Sequence, residues 1–147
     1  MLSHKAKYAL RAMVALARAD PDEPVLIATI AENEAIPRKF LELILLDLKR
    51  RGMIHSRRGR GGGYTLSRAP EDITFGEIVR TIDGPLALVP CVSKTAYRRC
   101  DDCVDERSCD IRRVMARVRD ATAELLDSTS LADVMKQGKT SARRAAG

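Results

Sequence analysis

The chain has 147 residues, and its 26 Lys and Arg outnumber 20 Asp and Glu for a net charge of +6. With 45% hydrophobic and 31% charged residues it can bury one core and still be soluble. The basic balance points to a polyanionic partner, either nucleic acid or an anionic membrane surface. No segment approaches the roughly 18 apolar residues of a membrane span, and Lys5, Lys7 and Arg11 interrupt any signal-peptide core. The expected location is the cytoplasm, where a cysteine cluster means metal or redox chemistry before structural disulfides.

Residues 3–19 place Ala6, Leu10, Met13, Val14 and Ala17 at helical spacing, with Ser3 as N-cap. Pro21 and Pro24 break that helix. A second short helix fits 27–34, with Ile27, Ile30 and Ala31 inward. Pro37 suits the first turn of a third helix over 37–51, where Phe40, Leu41, Ile44, Leu45 and Leu48 pack inward and Gly52 ends the run. Two short helices joined by a tight turn, with basic residues at the start of the second, form the helix-turn-helix layout.

A β-hairpin follows directly, with strands at 53–56 and 64–66 around a glycine-rich loop. A hairpin at this place is a wing. Arg57, Arg58 and Arg60 lie among glycines, so the backbone can approach a phosphate chain while the guanidinium groups reach a groove. Gly61, Gly62 and Gly63 are not a phosphate-binding P-loop, because the Lys and Ser/Thr of that motif are missing.

Residues 73–83 make a further short helix with Phe75, Ile78, Val79 and Ile82 inward, stopped by Gly84 and Pro85. From Ser108 a long helix carries Ile111, Val114, Met115, Val118 and Leu125 on one apolar stripe. A second copy of the chain would cover that stripe and give a two-fold homodimer suited to palindromic DNA. The expected fold is mainly α with a small β-hairpin wing. Its organisation is a winged helix-turn-helix domain over 1–84, a cysteine-rich cofactor loop over 85–107, a dimerisation helix over 108–135 and a disordered tail over 136–147.

The cysteines fall in one stretch, with the spacing Cys91-x8-Cys100-x2-Cys103-x5-Cys109. Thiolates are soft ligands for zinc or for iron–sulfur clusters. An iron–sulfur site gives a switch, since oxidation, nitric oxide or iron scarcity destroys it. A zinc site gives a scaffold, although Cys91 and Cys109 make no second C-x2-C. In a thiol switch, Cys100 and Cys103 form a disulfide on oxidation, with Arg98 and Arg99 lowering the thiol pKa. An enzyme reading, thiol oxidoreduction by the same pair, lacks the surrounding βαβ pattern. The residues favour a DNA-binding regulator over an enzyme and leave iron–sulfur and zinc level.

Several segments together resemble the IscR/NsrR/RirA group of bacterial winged-helix repressors. They are Lys7-Tyr8-Ala9-Leu10-Arg11-Ala12-Met13, Ile30-Ala31-Glu32, Phe40-Leu41-Glu42, the wing run ending in Gly61-Gly62-Gly63-Tyr64, and the stretch from Ile73 to Asp83. The resemblance implies crossed C-terminal helices in a dimer, with recognition helices and wings in adjacent grooves. It implies DNA contacts at Arg38, Lys39, Phe40, Glu42, Arg58 and Arg60. It also implies a [2Fe–2S] or [4Fe–4S] cluster held by Cys91, Cys103 and Cys109. The sequence departs from the group in carrying Cys100, in having Asp110 and no histidine after Cys109, and in having Lys7 where an aspartate ligand can stand. The fourth ligand is therefore Cys100, an unusual donor such as Asp110, or a small exogenous molecule.

Overall fold

The structure is a computed structural model that describes residues 1–145, with burial described through residue 138. Helix α1 (His4–Arg18) starts at Ser3, whose hydroxyl accepts from the Ala6 amide, and buries Ala6, Ala9, Ala12, Met13, Leu16 and Ala17. Four of those six are alanines, so neighbouring helices approach closely. Helices α2 (Ile27–Asn33) and α3 (Arg38–Arg50) follow, and α3 buries Leu41, Ile44, Leu45 and Leu48 at the 3–4 spacing of one helix face. Each of these four contributes about 1.5–3 kcal/mol relative to exposure. Lys5 and Asp47, 2.6 Å apart, tie α1 to α3.

Strands β1 (Ile54–Arg57) and β2 (Gly63–Leu66) pair antiparallel, with Ile54 opposite Leu66 and Arg57 opposite Gly63. Val25 and Tyr64 exchange two backbone bonds of 2.9 Å, which fix the hairpin to the chain entering α2. Gly63 allows this contact: its φ is +140°, and a Cβ there would lie 2.5 Å from the Val25 carbonyl oxygen. The arrangement is a winged helix-turn-helix.

Helix α4 (Phe75–Asp83) is capped by the Thr74 hydroxyl, which accepts from the Glu77 amide, and ends at Gly84. Helix α5 (Asp110–Asp127) begins at Cys109. The single helix expected over 108–135 is in fact two. The chain breaks at 128–130, and α6 (Leu131–Ala145) turns back to pack on α1. Ser130 and Asp133 form a reciprocal capping box at its start. Two backbone bonds of 2.9 Å, Phe75 N–H to Thr129 and Leu131 N–H to Ile73, bind this break to α4, and Leu131 is fully buried. The tail expected to be disordered over 136–147 is therefore helical through Ala145, and 146–147 lie outside the described residues. A buried leucine and a good cap outweigh the polar composition that suggested disorder.

Candidate DNA face and cysteine site

The turn between α2 and α3 is anchored by Ile36, which is buried and donates its amide to the Ala31 carbonyl. Ala35 beside it takes φ 52°, a left-handed conformation uncommon outside glycine and asparagine. The turn presents the start of α3. Arg38, Lys39 and Glu42 are exposed, with Arg38 Nε 3.7 Å from a Glu42 oxygen. Phe40 is half-buried and meets Tyr8 edge-on at 5.6 Å, so its ring also holds α3 on α1. Lys7 and Arg11 flank the same Tyr8 ring at 5.7 and 5.9 Å. In the wing, Arg57, Arg58 and Arg60 are exposed and, among the described residues, have no acidic partner in ion-pair range. The start of α3 thus exposes Lys39, and the wing three arginines, with no acid in range, the kind of cations a phosphate-binding face requires.

All four cysteines line one cavity of about 490 Å³ against the first turn of α5. Cys91 is buried in a tight turn over Pro90–Val92, and Cys100, Cys103 and Cys109 are half-buried. Among the described residues no three His, Cys, Asp or Glu side chains converge closely enough to hold a metal ion. The cysteines thus share a cavity without closing on one point. Cys109 is the N-cap of α5, its sulfur accepting from the Arg112 amide at 3.4 Å. The Arg112 side chain lines the cavity, and its Nε is buried with no hydrogen-bond partner. Asp110, the alternative donor, pairs instead with Arg113 at 3.0 Å and is not in the cavity lining.

The thiol of Cys100 is held above its ordinary range, first by the neighbouring Cys91 thiol and then by desolvation. In the thiol-switch expectation Cys100 and Cys103 form the pair beside Arg98 and Arg99; Arg99 does lie against Cys103, while Cys100 lies beside Cys91. Arg99 donates to the Cys103 and Val104 carbonyls, at 3.1 and 3.3 Å, and the adjacent Cys103 thiol holds its guanidinium above the ordinary value. The loop is cross-tied by Tyr97 and Glu106 at 2.6 Å and by Ser108 and Asp105 at 2.9 Å.

Helix α5 connects this cavity to the winged domain. Arg119, only 18% exposed, donates to the Val92 carbonyl at 2.5 Å, next to Cys91. At the far end of α5, Asp127 accepts two bonds from Arg80 of α4, at 2.5 and 2.9 Å. Gly76 makes room for that pair, since a Cβ there would meet an Asp127 oxygen at 1.9 Å. Along the outer face of α5, Ile111, Val114, Val118 and Leu125 are 66%, 51%, 37% and 67% exposed, and Met115 is half-buried. Sequence reasoning had no means of finding the contacts of Arg119 and Asp127, because arginines and aspartates on a helix usually face solvent.

Residues 2–137 match the Rrf2 family, described as iron-dependent transcriptional regulators. The chain is 46% identical to an Rrf2-like HTH-type transcriptional regulator of Rhodobacter capsulatus, over 97% of each chain. Among solved structures it is similar to CymR, the global cysteine regulator of B. subtilis, with a TM-score of 0.77, 31% identity, and 93% and 97% of the two chains covered. It is also similar to IscR of T. potens, with a TM-score of 0.71, 31% identity and 94% and 88% covered. No helix among the described residues is long and apolar enough to cross a membrane. With its winged fold and basic face, the chain belongs to the Rrf2 family of DNA-binding, helix-turn-helix transcriptional regulators.

Proposed function

We propose that the chain is a homodimeric repressor of a palindromic DNA site, and that an iron–sulfur cluster in the cysteine cavity sets its grip. The observation that carries this reading is the position of the four cysteines, in one cavity against the helix that bears the uncovered apolar stripe. The residues supply the donors for such a group, and the loop over 91–109 would have to draw them together to hold it. They offer four soft donors in a shared space, and the unpartnered Nε of Arg112 places a cation beside thiolates that carry net negative charge. The cluster, when bound, supplies an iron and sulfide centre that oxidants, nitric oxide or iron scarcity dismantle.

The protein's own residues carry the signal. Cys109 serves both as donor and as N-cap, so a change at its sulfur acts on the first turn of α5. Arg119 holds the Cys91 turn to the middle of the same helix, and Asp127 pins its end to Arg80 of the winged domain. A shift of the cysteine loop therefore reaches α4 through one continuous helix, and in a dimer it changes the spacing of the two α3 helices. A coupling of about 1–3 kcal/mol is enough to change affinity five- to 150-fold.

On DNA, Arg38, Lys39 and Phe40 open the recognition helix, and Arg57, Arg58 and Arg60 of the wing hold the adjacent groove. Glu42, released when Arg38 turns to phosphate, accepts a hydrogen bond from a cytosine amino group. A second reading, a cluster-free thiol regulator, is favoured by the nearness of the Cys91 and Cys100 thiols and by the likeness to the global cysteine regulator. A zinc-filled site would keep the DNA face and turn the loop into a scaffold. Anaerobic purification separates the three. Visible absorption with matching iron and sulfide supports the cluster, a colourless protein with one zinc per chain supports the scaffold, and a metal-free protein after reconstitution supports the thiol regulator.

A further inference from the structure

The exposed face of α3 is not uniformly polar. Lys39, Leu43, Leu46 and Arg50 succeed one another at four, three and four residues, forming a single stripe on the side away from the core. Leu43 is 56% exposed and Leu46 42%, and neither packs against the buried cluster. Cations bracket them, with Arg38 and Lys39 at the start of the helix and Lys49 and Arg50 at its end. Of the acids of α3, Glu42 offsets Arg38 at 3.7 Å and Asp47 pairs with Lys5 at 2.6 Å, which leaves Lys39, Lys49 and Arg50 with no acid in ion-pair range among the described residues. The stripe is therefore apolar in the middle and positive at both ends.

A single exposed leucine needs no explanation. Two on the face that a helix-turn-helix turns toward DNA, framed by phosphate-seeking cations, call for an occupant with both properties. The occupant that the charge selects is a nucleic-acid duplex, and the major groove offers one apolar feature, the 5-methyl group of thymine. Base edges are reached by residues near the start of a recognition helix. Leu43 lies in the second turn of α3, and Leu46 sits about 4.5 Å further along the axis.

We infer that Leu43 is a specificity-determining residue that reads a thymine methyl group in each half-site. This rests on the reading of α3 as the recognition helix and adds to it the base that the helix selects.

The test uses the full chain purified without oxygen. Duplexes bound by the protein are first enriched from a random pool. Each thymine of the enriched site is then replaced in turn by deoxyuridine, which lacks only the methyl group. The expected result is at least one position where the wild type loses about fourfold in affinity, the factor that burial of one methyl group contributes. At that position Leu43→Ala binds the thymine and uracil duplexes equally, whereas Leu46→Ala still discriminates. Because the readout is a ratio within one preparation, a variant that is partly unfolded does not distort it. A wild type indifferent to every methyl group, or a Leu43→Ala protein that still discriminates, would overturn the assignment and leave the recognition helix intact. Failure to enrich any duplex would instead remove the DNA-binding reading, and this inference with it.

Discussion

Four residues of α3 are buried to 0% exposure, whereas no residue of the longer α5 is buried at all. The winged domain closes its own core, with Met13, Leu41, Ile44, Met53, Ile78 and Leu131 packed from α1, α3, the wing's edge, α4 and α6. The segment over 85–127 is held mainly by polar ties such as Tyr97 to Glu106, Arg119 to Val92 and Arg80 to Asp127, and it leaves its apolar stripe uncovered. The first region is complete as a single chain. The second leaves an apolar stripe and the cysteine cavity open, the two places that the proposed dimer and cluster would fill.

The contrast can be broken at its most exposed point. Val118→Glu combined with Leu125→Asp is expected to give a monomer by sedimentation and to weaken DNA binding by roughly 100-fold or more, since two linked half-sites become separate ones. A dimer that persists would mean the stripe serves another partner. Cys103→Ala should abolish cluster absorbance and change DNA affinity within the five- to 150-fold range of the coupling, while thermal unfolding of the winged domain stays as in the wild type. Full iron content in that variant would remove Cys103 from the ligand set.

Smaller effects sharpen the same comparison. Arg58→Ala should lower DNA affinity about equally on all sequences and reduce the salt slope by about one per subunit, with iron content unchanged. The pair of Arg80 and Asp127 gives the mildest effect. The Arg80 guanidinium holds the Asp127 carboxyl below the usual carboxylate range. Its contribution is therefore complete above the unfolded value of about 3.9, and it is lost as the pH falls through the lower folded value. The pair is partly exposed, so its net worth is about 0.2–1 kcal/mol. Asp127→Asn should remove that part of the acid-side loss of stability, as read from unfolding midpoints between pH 5 and pH 2.

The winged domain was legible because its signals are local. Pro37 opens α3, glycines mark the wing loop, and Thr74 and Gly84 bound α4. The same reasoning placed the four cysteines together, since their spacing alone confines them. It failed where a contact spans the chain. The nearness of Cys100 to Cys91 depends on how the loop folds, and the polar composition of 136–147 hid the helix that Leu131 anchors. That last signal was available, because Ser130 and Asp133 stand three residues apart as a capping box does. Phe40 shows the remaining ambiguity, since one half-buried ring can serve both the packing on Tyr8 and the DNA face.

The most direct test of the account is a DNA titration at one fixed salt concentration, on a single anaerobic preparation before and after its cluster is removed by a chelator. The account predicts that the enriched duplex is bound five- to 150-fold more weakly by the stripped protein, with dimerisation retained. Equal affinity in the two states would contradict it, because the cysteine cavity would then have no hold on the DNA face.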